Sequence, residues 1–460
     1  MARVNIVQKT TLLKNKRLDA DFFQKRYIEL DKKIVGAIPI QRSASTVDLQ
    51  SNGAFRVIFN ILNDNQPKEV PYIRSGNVGD FFINKEQLHS ISKRAHSKLL
   101  KTHTEVGDIL MARKGKIGGA TLITKDDIGY NSNDNVTNIR LKKNDFLPAY
   151  FVAFWNSKYG LQQVERFATG NVQPWLSMKQ IRMLRTVKLS QSYQKEISDI
   201  VLEAYAKDKK SKTLKQQAGK LLEKELGLDN ITFDNPKSYT ASFSEVINNN
   251  RADSDFYQVK FKQLENHIST LKTTALASIC SFQKGYEVGT KLYTDEGPTF
   301  IRVSNLTVNG FTFGNSDKYI SKSTYDTFKA HKPNIGDILL TKDGTIGTCY
   351  LVDEEVEGIV SSGIMNLTLN DTSIPKEYLA LVINSQICQM QADRDCSGAL
   401  ITHWKPEQIR KMKIPILSSE TMEHLADLIK RSKAARKESK QLLEQAKNRV
   451  EELIEAAAQN

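Results

Sequence analysis

The 460-residue sequence contains no run of 18 consecutive apolar residues, so no membrane-spanning helix is expected. Residues Met1 to Asp21 are polar overall and lack the apolar centre of a signal peptide. Cysteine is scarce: Cys280, Cys349, Cys388 and Cys396 all lie in the second half, and none forms a C-x-x-C pair. A zinc site or disulfide framework is therefore not expected, and reduced thiols in the cytoplasm are the expectation. The seven histidines show no ligand spacing, so no metal site is expected. Missing too are a glycine-rich phosphate loop ending in Lys-Ser/Thr and a G-x-G-x-x-G between strand and helix.

What the chain has instead is a long internal repeat. Gly107-Asp108-Ile109-Leu110, followed by Gly115, Ile117 and Gly118, returns 229 positions later as Gly336-Asp337-Ile338-Leu339 with Gly344, Ile346 and Gly347. Ile73-Arg74 with Asn77 returns as Ile301-Arg302 with Asn305, and Gln180-Ile181-Arg182 as Gln408-Ile409-Arg410, both after 228. Arg17, Asp19, Asp21, Phe22 and Gln24 return as Arg251, Asp253, Asp255, Phe256 and Gln258. A period this long marks a duplicated unit larger than a solenoid repeat. The net charge of +14 and pI near 9.3 suit a polyanionic partner, and the charge spreads through both halves.

Each half opens with Asp-Phe-Phe/Tyr, runs through short β-like segments, and ends in a long polar helix. Asp108 to Met111 and Ala120 to Thr124 flank a Gly-Lys turn, a strand–turn–strand signal. Tyr150 to Trp155 and Tyr378 to Asn384 read as short buried helices or strands, which periodicity does not separate. Ile197, Ile200, Val201, Ala204, Ser211, Leu214, Ala218, Leu221 and Leu222 fall on one helical stripe. Leu425, Leu428, Ile429, Ser432, Ser439, Leu442, Leu443, Ala446, Val450 and Ile454 form the matching one, and Gly227 stands at a C-cap. Such stripes pair best with each other, and the intervening globular unit favours an antiparallel coiled coil; the alternative is that each helix packs on its own domain.

The expected fold class is α+β, with two similar α/β domains related by pseudo-two-fold symmetry and joined by the two helices. The expected limits are 1–191 and 239–418 for the globular domains, 192–238 for the first helix and linker, and 419–460 for the second helix. Catalytic chemistry finds no support. Asn235-Pro236-Lys237 is followed by Ser238 where an amino-methyltransferase motif needs an aromatic. Asp337 with Lys342 has no carboxylate partner repeated in both halves, so Asp108 and Asp337 read as turn residues.

This order of motifs, doubled and with a helix after each copy, resembles the specificity subunit of type I restriction–modification enzymes over essentially the whole chain. The resemblance implies a non-catalytic subunit in which each target-recognition domain reads one half of a split, asymmetric double-stranded DNA target. The coiled coil would set the gap and dock two adenine-N6 methyltransferase subunits, with restriction/translocase subunits completing a phage-defence complex. S-adenosylmethionine, ATP and Mg²⁺ would belong to those partners, leaving no cofactor in this chain. Alternatives are the specificity subunit of a type IIB-like system and a stand-alone two-headed DNA-binding or decoy protein.

Three loops per half are the DNA-binding candidates. The first holds Arg113, Lys114 and Lys116, matching Lys342, Asp343 and Thr345, with glycines expected to serve the backbone. The second runs from Thr169 to Trp175, with Asn171 and Gln173 suited to adenine. It is matched to Ser397 to Trp404, with Thr402 and His403. Trp175 and Trp404 are paired in this alignment, and core anchoring is the simpler role for both. The third holds Arg74 and Asn77, matching Arg302 and Asn305, where persistence in both copies favours phosphate contact or a structural hydrogen bond over base reading. The run Lys207 to Lys212 reads as a solvated face or an approach to the DNA spacer.

Overall fold

The computed structural model describes residues 12, 18–34, 36–47, 55–115, 117–142, 144–170, 173–314, 316–396 and 402–459. Two compact units emerge: Met1–Lys209 with Ala435–Asn460, and Lys210–Ala434. The first contains strands β1 (Ala44–Val47), β2 (Lys68–Ile73), β3 (His89–Ser92), β4 (Ile109–Ala112), β5 (Thr121–Leu122), β6 (Asn131–Ser132) and β7 (Val136–Leu141). They form an antiparallel sheet in the order β1-β7-β4-β5 and a three-stranded sheet β3-β2-β6, in which β2 runs parallel to β6.

The second unit repeats this arrangement with β8 (Cys280–Lys284), β9 (Tyr293–Ile301), β10 (Lys318–Ile320), β11 (Ile338–Thr341), β12 (Cys349–Leu351), β13 (Gly358–Val360) and β14 (Ile364–Leu369). The orders are β8-β14-β11-β12 and β10-β9-β13, again with one parallel pair. Registers repeat as well. Ile109 faces Ile139 as Ile338 faces Leu367, and Ile73 faces Ser132 as Ile301 faces Val360.

The central strands β4 and β11 are buried on both faces, which explains their continuous apolar runs. The two ambiguous segments are helices, α1 (Pro148–Asn156) and α3 (Lys376–Ile383). Residues 149–156 are all buried, so no polar face exists to reveal a period. Each helix is tied to a distant carbonyl through a tyrosine: Tyr150 Oη donates to Val187 O at 2.7 Å and Tyr378 Oη to Pro415 O at 2.9 Å.

Between α1 and α3 in chain order lies the long helix α2 (Gln191–Glu225); the chain ends in α4 (Ser419–Gln459). Gly227 takes the left-handed conformation just beyond α2 (φ 65°), as the C-cap reading requires. Within the first unit the two helices run antiparallel: Glu196 pairs with Arg449 at 2.7 Å, and Ser439 Oγ donates to Ala204 O at 2.8 Å. In the second, Ser432 Oγ donates to Ser211 O at 2.8 Å. Such bonds demand close backbones, because a hydroxyl reaches only one bond beyond Cβ. The serines on the stripe are thus the contact points that let the helices approach.

Ile197, Val201, Ala204, Leu214, Ala218, Leu425, Leu428, Ser432, Ala446 and Val450 are buried. Leu221 and Leu442 are only half-buried, and Leu222 (2% exposed) takes the inner position beside Leu221. The alternative of packing on the domains also holds in part. Ile197 and Val201 share a core with Tyr150 and Trp155, and Leu425 and Leu428 share one with Tyr378. Of the lysine run, Lys207 pairs with Glu438 and Lys209 with Asp126.

Just beyond the expected linker, the short helix Phe243–Asn249 is closed by a capping box in which the Glu245 carboxylate accepts from Ser242 N at 2.8 Å and pairs with Lys262 at 3.1 Å. The Ser242 N–H, with Lys262 beside it, holds the Glu245 carboxyl at about 2. A depressed folded value contributes stability above the ordinary 4.5 and loses it as pH falls through about 2. An NMR titration of this carboxyl should show that low midpoint; a midpoint near 4.5 would mean the box is not formed.

Candidate nucleic-acid interface

The three candidate loops converge in each unit. In the first, β4 leads into Arg113, whose carbonyl accepts from Leu176 N at 2.9 Å while its own N–H donates to Asn135 O at 2.7 Å. Lys114 forms an antiparallel bridge with Trp175. A Cβ on Gly115 would lie 3.9 Å from Ser75 Oγ and 4.0 Å from Gln173 Nε2, which brings the turn beside the other two loops. In the second unit, Lys342 O accepts from Trp404 N at 2.8 Å, and Lys342 N donates to Gly363 O at 2.9 Å. Asp343 bridges His403, and Gly363 lies against Val303.

The loop Thr169–Trp175 is closed by a reciprocal backbone pair, Thr169 N to Trp175 O at 3.0 Å and Trp175 N to Thr169 O at 2.8 Å. Gly170 sits at φ 100°, and a Cβ there would meet Gln173 O at 2.5 Å, so only glycine closes this loop. Gln173 and Thr345 are exposed, and Thr402 is half-buried. Lys116 and Asn171 lie outside the described residues, as do residues 397–401 of the matching loop.

The two tryptophans differ, which corrects the core reading for one of them. Trp404 is 1% exposed, whereas Trp175 is 39% exposed. The hydrogen bonds show why: Leu176 occupies the place of Trp404, and Trp175 that of His403. Matching the tryptophans to each other puts the loops out of register by one residue. In the shared frame position 176 or 404 points into the core (Leu176 is fully buried), and position 175 or 403 points out.

The cations nearest the backbone are committed. Arg113 is 5% exposed, and its guanidinium donates to Leu176 O at 3.2 Å and Asp134 O at 3.1 Å. Lys342 is 8% exposed, with its ammonium 2.6 Å from an Asp343 oxygen. Both brace the loops from within, leaving outward contact to their neighbours.

Asn77 and Asn305 are buried turn-makers. Asn77 Oδ1 accepts from Arg74 N at 2.9 Å, and Asn305 Oδ1 from Arg302 N at 3.0 Å. Their amides donate to Asn84 O and Thr312 O. The structural reading therefore holds for both, while Arg74 is exposed and Arg302 half-buried at the same corner. Asp108 and Asp337 close turns through Glu105 N and Asn334 N, both at 2.9 Å. Gln180 and Gln408 cap helices and reach Phe167 O and Asp395 O.

Two further devices share the 228-residue spacing but lie outside the sequence motifs. Asn156 brackets Ala120 through both amide atoms as Asn384 brackets Cys349. Gln163 brackets Arg185 as Gln391 brackets Lys413. On the outer face of the first unit's helix pair, Glu196, Lys440, Glu444, Arg449 and Glu452 line a polar groove. Among the described residues no group of three or more His, Cys, Asp or Glu is placed to hold a metal ion, and no helix is long and apolar enough to cross a membrane.

Residues 268–447 match the family of the type I restriction modification DNA specificity domain. No curated protein matches the chain. Among solved structures, the S subunit of a type I restriction-modification system from M. genitalium is 12% identical, with 91% of this chain and 94% of that one covered and a TM-score of 0.41. The HsdS subunit from Thermoanaerobacter tengcongensis is also 12% identical, over 90% of this chain and 95% of that one, with a TM-score of 0.29. The type IIG restriction endonuclease BpuSI is 10% identical over 44% of this chain and 35% of its own, at a TM-score of 0.28. Residues 268–447, which take in most of the second unit, are thus similar to a type I restriction modification DNA specificity domain, and the first unit repeats the second unit's sheets in the same order.

Proposed function

We propose that each unit reads one half of a bipartite, asymmetric DNA target, and that α2 and α4 set the gap between the halves. The observation that carries this is the repeated corner: three loops converge on the same hydrogen-bond frame twice, with different outward side chains each time. Identical frames with different readers suit two different words. The positive charge supplies phosphate affinity, while specificity falls to a few side chains in the grooves. α2 extends about 52 Å at 1.5 Å per residue, enough to span half-sites a helical turn of about 34 Å apart.

In this reading the functional division is 1–191 and 239–418 for recognition, with 192–238 and 419–460 as spacer. The outer helix faces, with the polar groove at Glu196 and Arg449, dock two adenine-N6 methyltransferase subunits, and restriction/translocase subunits join them. The chain itself supplies no catalytic group, and S-adenosylmethionine, ATP and Mg²⁺ are held by the partners.

Sequencing modified bases in the source genome tests the reading. A split target carrying N6-methyladenine in both halves is expected, and purified chain alone should methylate nothing until its methyltransferase partner is added. A continuous target, or no adenine methylation, would sink the bipartite assignment.

A further inference from the structure

The same backbone position faces outward in both units but carries Trp175 in one and His403 in the other. Its bridge partner changes with it, from Lys114 to Asp343. In the second unit the pair is locked by hydrogen bonds. One Asp343 oxygen lies 2.6 Å from Lys342 Nζ and the other 2.8 Å from His403 Nδ1. The Lys342 side chain is 10% exposed and that of Asp343 22%, whereas the His403 ring is 58% exposed.

A carboxylate only accepts hydrogen bonds, so His403 Nδ1 must carry the proton at this contact. In the neutral ring, Nε2 is then an acceptor. Lys342 offsets the charge of Asp343, so this part-buried ion pair serves to aim the ring rather than to contact a phosphate. An aimed acceptor at a reading edge seeks a donor. In the major groove the donors are the exocyclic amino groups of adenine and cytosine, whereas guanine and thymine present acceptors there.

We propose that His403 is a specificity-determining residue for the half-site read by the second unit, accepting at Nε2 from an adenine or cytosine amino group, and that Asp343 is its positioning residue. The inference rests on the reading that this corner faces DNA. It adds which side chain discriminates and by what chemistry. Lys114 and Trp175 present a cation and an apolar ring at the equivalent place, so the first unit discriminates there by a different rule.

The experiment uses the full chain with its methyltransferase partner and a pool of duplexes randomised over about four helical turns of roughly 34 Å each, from which bound sequences are recovered. The wild type should select a split motif. His403→Ala should relax one position in one half by about tenfold, on the scale of a lost base contact, with the other half unchanged. His403→Arg, which offers only donors, should shift that position toward guanine or thymine on the same strand. Asp343→Ala should blunt the same discrimination while leaving the salt dependence of binding unaltered, whereas loss of a phosphate contact would lower the salt slope by about one.

His403 is exposed, so His403→Ala tests the proposal even where Asp343→Ala unfolds. An unchanged preference in His403→Ala, or a uniform loss of affinity with a lower salt slope, overturns the assignment while leaving the two-word reading intact. A wild-type chain that selects no split motif overturns both.

Discussion

Replacing Asn305 with alanine should destabilise the second unit by about 3–5 kcal/mol, the sum of several buried groups left without partners. Asn305 is 2% exposed and makes three bonds: it accepts from Arg302 N at 3.0 Å and donates to Thr312 O at 3.1 Å and to Asp317 Oδ1 at 2.8 Å. Alanine removes all three. At about 2–4 °C per kcal/mol for a unit of this size, the thermal midpoint should fall by roughly 10 °C. Asn305→Asp keeps the acceptor facing Arg302 N but turns a second carboxylate toward Thr312 O and Asp317. It should therefore be at least as damaging, although it preserves shape. A loss below about 1 kcal/mol in calorimetry, the worth of one ordinary hydrogen bond, would mean that the corner is held by its strands rather than by its asparagine. Asn77→Ala should act in the same way on the first unit, since Asn77 makes the matching bonds to Arg74 N and Asn84 O.

This dependence explains why so much of the fold was legible in the sequence. Asn77/Asn305, Asp108/Asp337 and the turn glycines repeat because each performs a backbone task that few other residue types perform. The left-handed glycines Gly115, Gly118, Gly344 and Gly347 are of this kind. Duplication filters them from a background free to drift. The helix stripe was legible for a related reason: burial against a partner fixes its period, and it repeats down to Ser211 and Ser439, although Ser432 stands where the first helix has Ala204.

The outward side chains were harder to place, and the tryptophans show why. Trp175 and Trp404 invited alignment because tryptophan is rare, yet frame position 176/404 requires only a large apolar group. Leu176 satisfies it as well as Trp404 does. Identity was misleading where the frame specifies only burial or exposure. Arg113 and Lys342 were also drawn in by charge, whereas their depth commits them to carbonyls and to Asp343. A sequence states that a cation is present, but its burial depends on tertiary neighbours. α1 and α3 remained ambiguous because burial on all sides erases the periodicity that separates helix from strand.

Lengthening both long helices should move the permitted gap between half-sites, and the shift should follow helical arithmetic. Seven residues inserted after Lys209 in α2 and after Ala434 in α4, where each helix passes from one compact unit to the other, add two helical turns and nearly preserve the stripe's phase. The added length is about 10 Å at 1.5 Å per residue, or roughly three base pairs at 3.4 Å each. Methylation by the reconstituted complex should then prefer a gap about three base pairs longer and fall by about a hundredfold or more on the original, an amount comparable with losing one half-site's specific contacts. Four residues per helix should give about two base pairs with a rotation of roughly 40°, and hence a weaker and broader optimum. Insertion in α2 alone should be the most damaging, because Ser432 loses Ser211 O and Ser439 no longer meets Ala204 O in the same register. An optimum that stays at the original gap after the paired seven-residue insertion would refute the helices as the ruler and shift that role to the loops of the two heads.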